Sequence, residues 1–283
     1  MMDIWYRAVE VLPFDWAGHG EMLFMKNALL AILLLSPVFG ILGTMVVNNR
    51  MAFFSDALGH GAFTGVVVGG LMGFMKPVYS AVLFSILFSV AITIIKDKTR
   101  ISSDTVIGVF SSVAIALGIF IITAGGRSFA KLNTYLIGDI LSITPGEIAL
   151  LAYVLVAVLI LWFLYFNKLL LMSVNTSLAA SRGLKTFWIE ILFTTSIAVI
   201  VTVSMSWIGL LVINSMLVLP AAAARNVTVN VRQYHRATVL FSLFSGVLGL
   251  LFSYSWGTAT GATIVLILSA IFFITFALRG RFS

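Results

Sequence analysis

Apolar runs, most of them about twenty residues long and so of membrane-spanning length, recur from Leu23 to the end of the chain, separated by short polar or charged clusters. They begin near Leu23, Ala57, Val78, Thr105, Glu147, Phe187, Ile208, Ala237 and Gly261. The clusters that end them are Asn48-Asn49-Arg50, Lys76-Pro77, Lys96 to Arg100, Asn133, Asn167-Lys168, Trp207, Arg225 to Arg236, Trp256-Gly257 and Arg279. The pattern predicts an all-α, polytopic transmembrane helical bundle of nine spans. It becomes eight if the segment from Phe187 to Ala224 holds one broken or re-entrant helix, because the joint at Met205-Ser206-Trp207 is tight. Residues 1–22 carry Asp3, Glu10, Asp15 and Glu21 among aromatics, with no basic start leading into a cleavable apolar core. They read as an external amphipathic segment lying at the membrane surface, and residues 23–283 as one transmembrane domain.

Composition supports the membrane class. Hydrophobic residues make up 61% of the 283 and charged residues 10%, which leaves no stretch for a separate soluble domain. There is no cysteine, so disulfides and thiolate metal sites are excluded. The net charge of +7 does not point to nucleic acid, because the basic residues are scattered over short connections where membrane topology explains them. With the N-terminus outside and the C-terminus cytoplasmic, the inner side collects Arg50, Lys96, Lys98, Arg100, Lys168, Arg182, Lys185, Arg225, Arg232, Arg236, Arg279 and Arg281. Arg7, Lys26, Lys76, Arg127 and Lys131 remain outside, and the bias selects this orientation.

One span carries chemistry. Asp56, His60 and Thr64 fall at i, i+4 and i+8 and share a helix face, with the carboxylate and imidazole about 6 Å apart along the axis. Beside them Ala57, Gly61, Gly65, Gly69 and Gly73 form a small-residue stripe that lets helices approach closely. An ionisable pair inside a membrane bundle is a functional-site hypothesis, and imidazole with carboxylate suits a divalent transition ion. The structural alternative is that Ser55 or Asp56 caps the helix and His60 bonds a neighbouring carbonyl. Asn214 and Ser215 are either helix-to-helix hydrogen-bonding groups or, with Thr64, linings of a path. Glu190 is expected to pair with Arg182 or Lys185, and His19 and His235 are expected to be solvated.

Two connections draw notice. Residues 125–146, with Arg127, Lys131, Asp139 and Pro145, are long enough to cap or gate the outer face. Residues 169–186 form a cytoplasmic segment in which Asn175 or Thr176 caps a short helix through Ala179 and Ala180, and Gly183 ends it in the left-handed conformation. That helix reads either as a docking knob or as a surface connector.

The stretch Val46 to His60, with Asn49-Arg50-Met51 and Asp56-Ala57-Leu58-Gly59-His60, resembles the RRMxxxxDAxxHA region of permease subunits from bacterial zinc, manganese and iron ATP-binding-cassette importers. Ile208 to Arg225 is similar to the same family's GxLLVxALLxxPAAxA segment, and Thr260 to Leu266 supplies a third match in the family's order. The resemblance implies a multi-pass permease in the bacterial inner membrane, working as a homodimer with two cytoplasmic ATPase subunits and an external metal-binding protein. It implies Asp56 and His60 as metal ligands on the path, with the ion, Zn2+, Mn2+ or Fe2+, as cargo and no permanently bound cofactor. It also implies that the segment around Asn175, Ala179, Arg182 and Gly183 couples to the ATPase. Two departures stand out: Asn175 replaces the aspartate usual in relatives, and Phe63-Thr64 replaces a Leu-Pro pair, which bears on the bend of that helix.

The chain has no phosphate-cradling Gly-Lys-Ser/Thr loop and no His-Glu-x-x-His pattern, so neither an intrinsic ATPase nor an intramembrane zinc hydrolase is supported. The rival is an ion-coupled secondary metal transporter using Asp56, His60 and Glu190 without an ATPase. A structural membrane subunit, tolerant of neutral substitutions at Asp56 and His60, is the third reading.

Overall fold

A computed structural model describes residues 2–11, 13–18, 22–72, 77–99, 101–125 and 138–281. Among them the regular structure is all helical: α1 Met2–Val9, α2 Asp15–Gly18, α3 Leu23–Asn48, α4 Phe54–Met72, α5 Pro77–Lys98, α6 Ser103–Ala124, α7 Pro145–Val174, α8 Thr176–Ser181, α9 Thr186–Ile208, α10 Leu210–Val227, α11 Val231–Trp256 and α12 Thr260–Leu278. Short 3-10 turns stand at Ile140–Ser142 and Arg279–Arg281. Nine of these helices have 18 residues or more, and each begins within a few residues of an apolar run in the sequence. Eight are long and apolar enough to cross a membrane. The ninth, α4, carries Asp56, His60 and five glycines and stands outside that apolar group.

Local chemistry sets the boundaries. Ser102 accepts from Thr105 N to start α6, and Thr144 and Glu147 form a reciprocal capping box ahead of α7, with Pro145 at the first helical position. Asn230 accepts from Gln233 N and starts α11 at Val231, six residues before the apolar run that predicts a span from Ala237. The polar cluster from Arg225 to Arg236 is therefore mostly helix, because Asn230 caps a turn that hydrophobicity does not mark. Likewise α7 runs past Asn167-Lys168 to Val174; neither residue breaks a helix, and Lys168 rests its ammonium 4.9 Å from the Tyr165 ring centre.

The helices pack in two interlocked groups. α3 is the central member of one, with α7, α10 and α11 against it, and α12 closes the far side against α10 and α11. α4 is the heart of the other, wedged between α5 and α6, with α9 and α10 behind it. The joint between α9 and α10 is Gly209 alone, at φ 84°, where a side chain would strain the backbone. Gly138 packs directly on this joint, so the segment before α7 folds down onto the bundle. Of the possible outer cap, residues 126–137, which include Arg127, Lys131 and Asn133, lie outside the described residues, as do His19, Gly73, Lys76 and Arg100.

The N-terminal segment is anchored to α3. Trp5 Nε1 donates to the Lys26 carbonyl at 2.9 Å and Tyr6 OH donates to Asn27 Oδ1 at 2.9 Å. Lys26, buried, forms an ion pair with Glu10 at 3.2 Å, which satisfies its charge where solvent does not reach.

Candidate functional site

The turn Asn49 to Phe53 reverses the chain into α4 and leaves Met51, Phe54 and Ser55 buried, so the first turns of α4 lie inside the protein. Asp56 and His60 are consecutive along one face of that helix. Asp56 Oδ2 lies 3.5 Å from His60 Nε2, with side chains 42% and 22% exposed. Asn214, in the second turn of α10, donates its Nδ2 hydrogen to Asp56 Oδ1 at 2.9 Å. Gly59 lets α10 come this close, since Leu210 occupies the volume a Cβ there would need. The other amide atom, Asn214 Oδ1, is buried without a hydrogen-bond partner. A carboxylate, an imidazole and an orphaned amide oxygen thus gather at a partly open spot between two helices, a donor set that fits a divalent ion.

This arrangement corrects several expectations. Asp56 and Ser55 sit within the first turn rather than at the cap position, because α4 begins at Phe54, and Asp56 bonds outward to His60 and Asn214. Thr64 is buried, and its hydroxyl lies 2.6 Å from the Ala114 carbonyl and 3.2 Å from that of His60, stapling α4 to α6. Ser215 returns its hydroxyl to Leu211 O on its own helix at 2.8 Å, whereas Asn214 makes the interhelical bond. α4 continues as helix through Phe63 and Thr64, in keeping with the absence of a proline there.

Three glycines of the small-residue stripe lie against α5. A Cβ on Gly61 would lie 2.9 Å from Phe88 Cδ1, one on Gly65 2.7 Å from Ala81 Cα, and one on Gly69 would collide with Ser80 Oγ. The three glycines therefore seat α5 against α4.

Glu190 pairs with Lys96, not with Arg182 or Lys185. α5 and α9 lie side by side, which brings the last turn of α5 opposite the first turns of α9, while Arg182 and Lys185 stay exposed in the connection. His235 is not a solvated residue either. Its Nδ1 lies 2.8 Å from Val231 O and its Nε2 3.0 Å from Thr44 Oγ1, and its ring meets Phe166 edge-on at 5.2 Å. Neither Lys96 for Glu190 nor Thr44 and Phe166 for His235 is readable from spacing, because these helices are far apart in sequence.

In the α7–α9 connection, Asn175 Oδ1 accepts from Leu178 N at 2.9 Å and caps α8, and Gly183 follows its end at φ 77°. Ala179 is buried against the bundle, on the inner side of α8. Asn175, Thr176, Ser177, Leu178, Ala180, Ser181, Arg182 and Gly183 are exposed.

Among the described residues no group of three or more His, Asp or Glu side chains gathers, and Asp56 and His60 stand together as a pair. The ABC 3 transport family matches residues 21–279. The manganese transport system membrane protein MntC of Listeria monocytogenes is 28% identical over 263 residues, 92% of each chain. The high-affinity zinc uptake system membrane protein ZnuB of Haemophilus influenzae is 28% identical over 261 residues, 92% of this chain and 99% of ZnuB. A solved structure of PsaBC from Streptococcus pneumoniae in complex with Fab matches with a TM-score of 0.77 at 28% identity, covering 98% of this chain and 95% of that one. The motif order, the helical bundle and these likenesses agree: the chain belongs to the ABC 3 transport family.

Proposed function

We propose that the chain is the membrane permease of an ATP-driven importer of divalent transition metal ions, manganese or zinc foremost. The observation that carries this is the Asp56–His60 pair on α4, braced by Asn214 from α10, in a chain whose relatives are named for manganese and zinc transport. Membership of the ABC 3 transport family favours an ATPase-driven importer over the ion-coupled alternative.

Two ligands per chain bind a passing ion weakly, which suits a path that must release what it admits. Two copies on a twofold axis would bring two Asp56 and two His60 side chains together, giving a four-ligand transient site that neither copy holds alone. Asn214 positions Asp56 by holding one carboxylate oxygen, leaving the other for His60 or the ion. The carboxylates offset the charge that a divalent ion loses hydration to bring in. The external binding protein delivers the ion, and two ATPase subunits dock on the cytoplasmic side, where the basic bias of the loops places α8. Arg182 and the rim of α8 form the ATPase contact, with Asn175 holding that helix in shape.

The test is uptake of manganese and zinc into proteoliposomes containing the permease alone, and then with the ATPase and binding proteins added. ATP-dependent accumulation only in the assembled system supports the reading. Accumulation by the permease alone, driven by an ion gradient, overturns it.

A further inference from the structure

α4 has α5, α6, α9 and α10 as its main partners, whereas α7 and α11 flank α3 on another side of the bundle. Between α7 and α11 a groove of about 1160 Å³ opens over Ile41. Its walls are apolar, with Leu159, Trp162 and Phe166 from α7 facing Val239 and Leu240 from α11. Its rim is basic. Arg232 and Arg236, one turn apart on α11, both border the groove and are exposed.

Neither arginine has an ion-pair partner among the described residues, where the recorded pairs are Lys26–Glu10, His60–Asp56 and Lys96–Glu190. His235 lies between the arginines in sequence and also lines the groove. Both its ring nitrogens are engaged by Val231 and Thr44, so it offers the groove the face of a packed ring and leaves the two guanidinium groups as the rim's free charges.

An apolar groove alone selects nothing in a bilayer, since acyl chains are as apolar as the leucines that line it. Selectivity has to come from charge at the rim. Guanidinium groups match phosphate oxygens bidentately, and two of them one helical turn apart present several donors at the end of an apolar channel. The molecule that complements both features has hydrocarbon and a phosphate in one body and carries net negative charge. We infer that the α7–α11 groove is a binding site for an anionic phospholipid of the cytoplasmic leaflet, its acyl chain lying along Trp162 and Leu240 and its phosphate held by Arg232 and Arg236. The leaflet follows from the orientation proposed above. The lipid itself does not depend on which ion is transported.

Native mass spectrometry of the purified full-length permease, incubated with phosphatidylglycerol or phosphatidylcholine, tests the site. Two basic groups, each contributing about fivefold, predict a preference for phosphatidylglycerol of roughly 30-fold. The Arg232→Gln/Arg236→Gln variant, altered only at exposed positions, is expected to bind the two lipids equally. Leu240→Trp, which fills the groove and leaves both arginines, is expected to lose the bound phosphatidylglycerol. Equal binding of the two lipids by the natural chain, or an undiminished preference in the double-arginine variant, overturns the site. The chain has no cysteine, so Leu240→Cys also asks whether a second copy covers this face. A disulfide-linked dimer through position 240 in native membranes would assign the groove to protein and overturn the lipid proposal.

Discussion

α4 and α7 are both long helices of one membrane protein, and they follow opposite rules. α7 has the highest mean hydropathy among the eight apolar spans, 2.7, yet only 17% of its most apolar stretch is buried inside the protein. α4 carries a carboxylate, an imidazole and five glycines, and most of its residues are buried between α5 and α6. In water the apolar helix would be the buried one. In a bilayer the lipid takes the apolar surface, so close packing falls to small residues and polar groups move to where protein shields them. Hydropathy therefore finds the spans, and departures from it find the site.

The sharpest way to break the contrast is Asp56→Ala. It removes the charge from α4 and leaves both His60 and the Asn214 amide without their partner, and metal uptake is expected to be lost while the amount of permease in the membrane is unchanged. A large structural effect is expected from Gly65→Leu, whose side chain has no room against Ala81 and Phe84. It is expected to cost about 3 kcal/mol or to push α5 aside, and thermal unfolding in detergent reads it. Asn214→Leu keeps both proposed ligands but frees the Asp56 carboxylate to turn. By the usual weight of a group that orients a metal ligand, uptake at limiting metal is expected to fall about 10-fold or more. Wild-type uptake in this variant would show that Asn214 serves packing alone.

Smaller effects mark the periphery. Lys96→Met leaves Glu190 partly buried and unpaired and is expected to cost roughly 1–2 kcal/mol, between exposed and buried ion pairs. Adding Glu190→Gln is expected to recover part of this, as a double-mutant cycle on unfolding would measure. On α7, Phe163 is 83% exposed, and Phe163→Ala is expected to shift stability by less than about 0.5 kcal/mol. A loss comparable to that of Gly65→Leu would mean that protein, not lipid, covers this face.

Much of this was legible in the residues alone. The starts of eight of the nine long helices, the helical face shared by Asp56 and His60, the glycine stripe and the cap at Asn175 all depend on local spacing, whereas α11 starts six residues ahead of its apolar run. The misreadings share one cause. Glu190 meets Lys96 and His235 meets Thr44 because helices distant in sequence are neighbours in space. No periodicity encodes those neighbours. Asn214 was the instructive middle case. A lone amide in an apolar span signals a hydrogen bond across helices, but only the packing of α10 on Gly59 identifies Asp56 as its acceptor.

The most direct measurement is manganese and zinc uptake by the complete importer, permease with its ATPase and binding protein, comparing the natural chain with His60→Ala at equal assembly and equal ATPase activity. Uptake is expected to collapse while the ATPase still turns over, because the proposed imidazole ligand is gone. Undiminished uptake of both metals in His60→Ala would contradict it and remove the α4 pair from the route of the ion.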